Sequence, residues 1–81
     1  MRIDKYLKVS RLIKRRTIAN EACSAGRVTI NGRAAKAGSD VKAGDIVTIG
    51  FGTKTIKIEV LKESEHIGKD DAPTMYKILE G

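Results

Sequence analysis

The sequence predicts an α+β fold: two short N-terminal helices packed on a small, mostly antiparallel sheet. Three observations carry that expectation. The first 25 residues place apolar side chains at helical intervals. Beyond Gly26 the pattern changes to apolar–polar alternation, the period of a half-buried strand. Between the alternating runs stand Asn31-Gly32, Ala43-Gly44-Asp45 and Phe51-Gly52-Thr53, three short turn signals.

Taken in order, Asp4 is a candidate N-cap for the first helix, with Tyr6, Leu7 and Val9 in or near its first turns. Ser10 and Thr17 are further candidate caps, which predicts a bend between two helices. The second helix runs from about Lys14 or Thr17 to Ser24, with Ile18, Ala19, Ala22 and Cys23 spaced to face a core. Gly26 suits the left-handed position that ends a helix. Arg27 to Ile30 then alternates, and Arg33 to Lys36 returns. Asn31-Gly32 between them is a hairpin turn, because both residues accept positive φ. Ile46 to Ile49 and Thr55 to Val60 follow as strands. Residues 62–74 are polar, hold the one proline, and read as a mobile loop. Met75 to Leu79 is a candidate last strand, with Tyr76, Ile78 and Leu79 as core candidates. The 81 residues suit one domain, 1–81, and show no internal repeat.

The distribution of charge bears on function. Residues 1–16 hold seven basic groups against one acid, and residues 17–81 hold nine of each. The whole excess of +6 therefore sits in the first fifth of the chain. Such a concentration is the footprint of a polyanion binder. One cysteine, Cys23, cannot form an internal disulfide, which favours a reducing compartment. Charges at residues 2, 4, 5 and 8 argue against a signal peptide, and no apolar run is long enough to span a membrane. The expected location is the cytoplasm and the expected state a monomer.

Arg2, Lys5, Lys8, Arg11 and Lys14 recur every three residues, with Ile3, Tyr6, Leu7, Val9, Leu12 and Ile13 between them. Residues three apart lie near one helical face, so one side is cationic and the other docks on the sheet. Lys14-Arg15-Arg16 adds three cations where the second helix should begin. Cations there oppose the macrodipole, at a cost of roughly 0.3–1 kcal/mol each. A bound phosphate reverses that sign, because it meets free backbone N–H groups and the cations together. RNA suits this face better than DNA, since no recognition helix carries side chains set for major-groove edges. An ordinary solvated charged face, a membrane-surface helix and an acidic protein partner are the competing readings.

Catalysis has little support. His66 is the single histidine and stands in a polar stretch. Glu63 and Glu65 have no framing pocket to infer, and Asp70-Asp71 reads as a solvated loop. No enzyme activity, metal or cofactor is expected.

The runs Arg2-Ile3-Asp4-Lys5-Tyr6-Leu7-Lys8-Val9-Ser10-Arg11, Arg15-Arg16-Thr17-Ile18-Ala19 and Gly26-Arg27-Val28-Thr29-Ile30-Asn31-Gly32 together resemble the ribosomal-protein S-four RNA-binding domain, or alpha-L motif. Lys36 and Val41 to Ile46 continue the match, which covers about residues 1–50 and leaves 51–81 for the last strands and loop. The resemblance implies two helices on a short sheet, with a basic helical face seated on structured RNA. Arg2, Lys5, Lys8, Arg11, Lys14, Arg15 and Arg16 are the expected RNA contacts, with Asp4 and Thr17 in support. It also implies that Asp4 pairs with an arginine and orients it, against the N-cap reading. Asn31 and Gly32 are expected as structural turn residues.

Within the family, chain length and the stretch Lys8-Val9-Ser10-Arg11-Leu12-Ile13-Lys14-Arg15-Arg16-Thr17 are most similar to the RqcP (YabO) type of bacterial ribosome-associated quality control. That type implies contact with rRNA of the obstructed large ribosomal subunit and with peptidyl-tRNA. It further implies support of C-terminal alanine tailing beside an RqcH-type factor. The heat-shock-fifteen type is the related alternative; its long basic C-terminal extension has no counterpart before Gly81. A general rRNA-binding or ribosome assembly protein and a protein-binding adaptor are further alternatives.

Overall fold

The computed structural model describes residues 1–63, 68 and 70–80. Helices α1 (Ile3–Val9) and α2 (Arg16–Ser24) are followed by strands β1 (Val28–Ile30), β2 (Arg33–Ala34), β3 (Ile46–Phe51) and β4 (Lys54–Val60). A 3₁₀ turn (Ala72–Met75) leads into β5 (Tyr76–Glu80). The strands form one sheet in the order β2-β1-β3-β4-β5, with every pairing antiparallel. The α+β fold predicted from the sequence is the fold observed. No helix among the described residues is long and apolar enough to cross a membrane.

Sequence chemistry explains the turns. Asn31 and Gly32 take φ 53° and 83°, which a two-residue hairpin turn demands. The Asn31 side chain accepts the Ile46 N–H at 2.9 Å and donates to Asp45 at 3.1 Å, locking the ends of β1 and β3. It is thus a structural residue, as expected.

Three cap assignments need correction. Asp4 lies inside α1, whose N-cap is Arg2. Ser10 ends α1 and does not begin a helix; its hydroxyl donates to the Leu7 carbonyl at 3.3 Å. Thr17 lies within α2, whose N-cap is Arg15. The reason at α1 is tertiary. The loop after β2 crosses the start of the helix and takes up its free donors: Ile3 N–H donates to Ser39 O at 2.7 Å and Asp4 N–H to Ala37 O at 3.3 Å. With backbone carbonyls taking these two donors, the Asp4 carboxylate takes the Lys5 N–H through Oδ1 and keeps Oδ2 for other partners.

The core joins Ile3, Tyr6 and Leu7 of α1, Ile13 of the connection, and Ala19 and Cys23 of α2 to Val28, Val47, Ile49, Ile58 and Val60 of the sheet. Three core expectations fail. Ile18 is 48% exposed, Ile78 58% and Leu79 40%. Ile18 falls on the flank of a helix whose buried side is set by Ala19 and Cys23. Ile78 and Leu79 lie on β5, one of the sheet's two outer strands.

The expected mobile loop at 62–74 is also corrected at its C-terminal end. Residues 64–67 and 69, with His66 and Glu65 among them, lie outside the described residues. Ala72–Met75 forms the 3₁₀ turn, and Ala72 and Met75 are fully buried. The Tyr6 hydroxyl donates to the Met75 carbonyl at 2.7 Å, tying α1 to this turn. Deleting residues 62–74 therefore removes core material.

Burial pushes the Tyr6 phenol above its ordinary 10.0, with Tyr76 adding to the effect. Burial, and then the nearby Asp4 charge, push the Cys23 thiol above its ordinary 9.0. Both groups stay protonated in the fold at pH values where the unfolded chain has released its protons. Stability is therefore full below the unfolded values and is lost as pH rises beyond them. A series of thermal melts should be level near neutrality and decline from about pH 9 upward. A melting temperature that holds steady to about pH 11 would contradict the buried placement of both groups.

Candidate nucleic-acid interface

The predicted three-residue stripe divides where α1 ends. Arg2, Lys5 and Lys8 belong to α1 and its cap, while Arg11 and Lys14 lie in the connection to α2. Arg11 adopts φ 64°, left-handed backbone that non-glycine residues rarely occupy. Its N–H donates to Lys8 O at 3.0 Å, closing the helix end. Arg15 caps α2 and Arg16 is its first residue. The N-cap side chain, Arg15, makes no cap hydrogen bond, so among the described residues no side chain closes the first-turn N–H groups of α2 beside Lys14, Arg15 and Arg16. Arg2, Lys8, Arg11, Lys14, Arg15, Arg16 and Thr17 are exposed, and Lys5 is half-buried.

At the centre stands Asp4, only 2% exposed. Its Oδ2 accepts from Arg2 Nη2 and from Arg16 Nε, both at 3.3 Å, and its Oδ1 accepts the Lys5 N–H at 2.8 Å. A buried carboxylate requires such partners. The two guanidiniums remain 51% and 45% exposed, so solvent screens the pairs and their contribution to stability is small. Their effect is geometric. Asp4 holds two arginines, the N-cap of α1 and the first residue of α2, on one carboxylate oxygen while both side chains stay about half exposed.

Arg2, Asp4, Arg16 and Thr17 line a groove of about 470 Å³ together with Asn20 and Glu21. Asn20 and Glu21 are not among the residues expected from the sequence. The spacing of 16, 17, 20 and 21 along one helical face was the available signal. Cys23, on the core side of α2 with Ala19, is buried. Among the described residues no cluster of three or more His, Cys, Asp or Glu could hold a metal ion.

The S4 domain family matches residues 1–47. The "RQC P-site tRNA stabilizing factor" of Halalkalibacterium halodurans is 53% identical over 96% of the chain and 89% of that protein. The Bacillus subtilis protein of the same name is 52% identical over 99% of the chain and 93% of that protein. Among solved structures, Vibrio cholerae heat shock protein 15, described as trimeric, superposes with a TM-score of 0.88 at 30% identity. That match covers 96% of the chain and 80% of the Vibrio chain.

Proposed function

The chain belongs to the S4 domain family, and we propose that it is a non-catalytic RNA-binding factor of bacterial ribosome-associated quality control. In this reading it binds rRNA of the obstructed large subunit and peptidyl-tRNA. It thereby supports C-terminal alanine tailing of stalled chains beside an RqcH-type factor, acting as a cytoplasmic monomer. Arg2, Lys5, Lys8, Arg11, Lys14, Arg15 and Arg16 contact phosphates; Asp4 positions two of them, and Thr17 supports the second helix end.

One observation carries the reading. A buried carboxylate pins Arg2 and Arg16 together at the open N-terminus of α2. A solvated charged face has no need of a buried anchor, whereas a phosphate gains from fixed guanidinium donors and from the helix end. The name and high identity of the two bacterial relatives support the quality-control assignment. The heat-shock-fifteen reading rests on the Vibrio structure, at lower identity.

Sedimentation of the tagged chain in a bacterial lysate at low and high salt tests the assignment. Co-migration with large subunits that carry peptidyl-tRNA, lost at high salt, is the expected result. Protein that stays at the top of the gradient at both salts would remove the ribosome as its partner.

A further inference from the structure

The two charges of α2 both stand where folding alone disfavours them. Arg16 opens the helix, and Glu21 lies in the C-terminal half of its nine residues, each opposing the macrodipole. Arg16 has Asp4 as a partner. Glu21 is exposed, and among the described residues its carboxylate makes no ion pair or hydrogen bond. Yet it lines the same groove as Arg2 and Arg16, beside Thr17 and Asn20.

A groove made only for phosphate would exclude that carboxylate, because it repels the ligand. A carboxylate accepts hydrogen bonds and donates none. Its complement is therefore a group rich in N–H donors, lying within reach of a phosphate held by the arginines. An unstacked nucleotide has that make-up: an anionic phosphate at one end and a donor-bearing base edge at the other. The groove's volume of about 470 Å³ is within the range of small-ligand sites.

We propose that this groove holds one unstacked RNA nucleotide, its phosphate on Arg2 and Arg16 and its base edge read by Glu21, with Asn20 alongside. The inference rests on the RNA-binding reading above. Guanine fits best, because its N1–H and N2–H groups are adjacent donors for one carboxylate, and its O6 can accept from the Asn20 amide.

Charge provides a test by sign. Replacing Glu21 by glutamine removes a negative charge from a polyanion-binding surface, and electrostatics alone then predicts tighter binding. Base reading predicts weaker binding. The probes are fluorescein-labelled RNA hairpins with identical stems and one bulged A, C, G or U, and the same stem without a bulge. Binding of the full chain is followed by anisotropy at several salt concentrations, with circular dichroism to verify the fold of each variant.

The parent should favour the bulged-guanine hairpin by roughly 5- to 150-fold, the discrimination of one good base contact. Glu21→Gln should lose that preference and leave the salt slope unchanged. Asn20→Ala should narrow the preference. Arg16→Gln should weaken all hairpins and reduce the slope by about 0.7–0.9. Glu21→Gln binding as tightly as the parent, or more tightly, overturns the proposal. So does equal weakening on all four bulges, which would place Glu21 on the ribose. If the parent binds every hairpin alike with a steep salt slope, RNA binding stands and base reading falls. If it binds none of them at any salt, both fall.

Discussion

Replacing Arg16 by glutamine should weaken binding to the large ribosomal subunit by roughly 10- to 150-fold, the worth of one charge-assisted hydrogen bond of about 1.5–3 kcal/mol. The fold should survive, because Asp4 retains Arg2 and the Lys5 N–H. Arg16→Glu should reduce binding further, since it presents a negative charge to phosphate. It also sets a second carboxylate against a buried one, so part of its effect will be on stability. The neutral variant separates the two effects. Equilibrium binding and a thermal melt on the same preparation check the prediction. Arg16→Gln that binds as tightly as the parent would remove Arg16 from the interface.

The largest effect on stability should come from Leu7→Asp. Leu7 is fully buried in α1, in the cluster that joins the helices to the sheet. Shortening a buried leucine costs about 2–5 kcal/mol, and an unpaired carboxylate in the same place adds several more. A chain this size has a total stability of roughly 4–12 kcal/mol. The variant should therefore be unfolded at room temperature by circular dichroism, as should Val28→Asp, which places a charge at a fully buried position of β1. A cooperative melt near that of the parent would show that Leu7 does not lie in the core.

Much of the fold was legible because local chemistry and tertiary structure agree. Asn31-Gly32, Gly26 and Gly44 each take the positive φ that their positions in turns or helix ends suggested. The strands extend only a residue or two beyond their alternating runs at β3 and β4. What was hidden depends on contacts distant in sequence. The loop after β2 caps α1 through Ser39 and Ala37, and no local pattern announces it. Asp4 was therefore read as an N-cap as well as an arginine partner. Its bond to Arg16 spans 12 residues and exists only because the connection folds α2 back on α1. The exposure of Ile78 and Leu79 likewise follows from the outer position of β5, which alternation cannot reveal. The burial of Ala72 was hidden because the polar composition around it suggested a loop, and Met75, expected to open the last strand, ends the 3₁₀ turn instead.

The same distinction applies to the site. Composition located the charge on residues 1–16, and the helix start at Arg16 falls between the two expected starts, Lys14 and Thr17. Family resemblance implied only that Asp4 pairs with an arginine; its burial, its joining of Arg2 to Arg16 and the presence of Asn20 and Glu21 in the groove required the packed helices.

The central claim is that the cationic face of α1, α2 and their connection binds RNA phosphates. Its most direct test is the equilibrium affinity of the purified chain for isolated large ribosomal subunits, measured across a range of salt concentrations. Contact with about five phosphates predicts that log K falls with log salt at a slope of roughly −3.5 to −4.5. Tight binding with a slope near zero, or no binding at low salt, would contradict it.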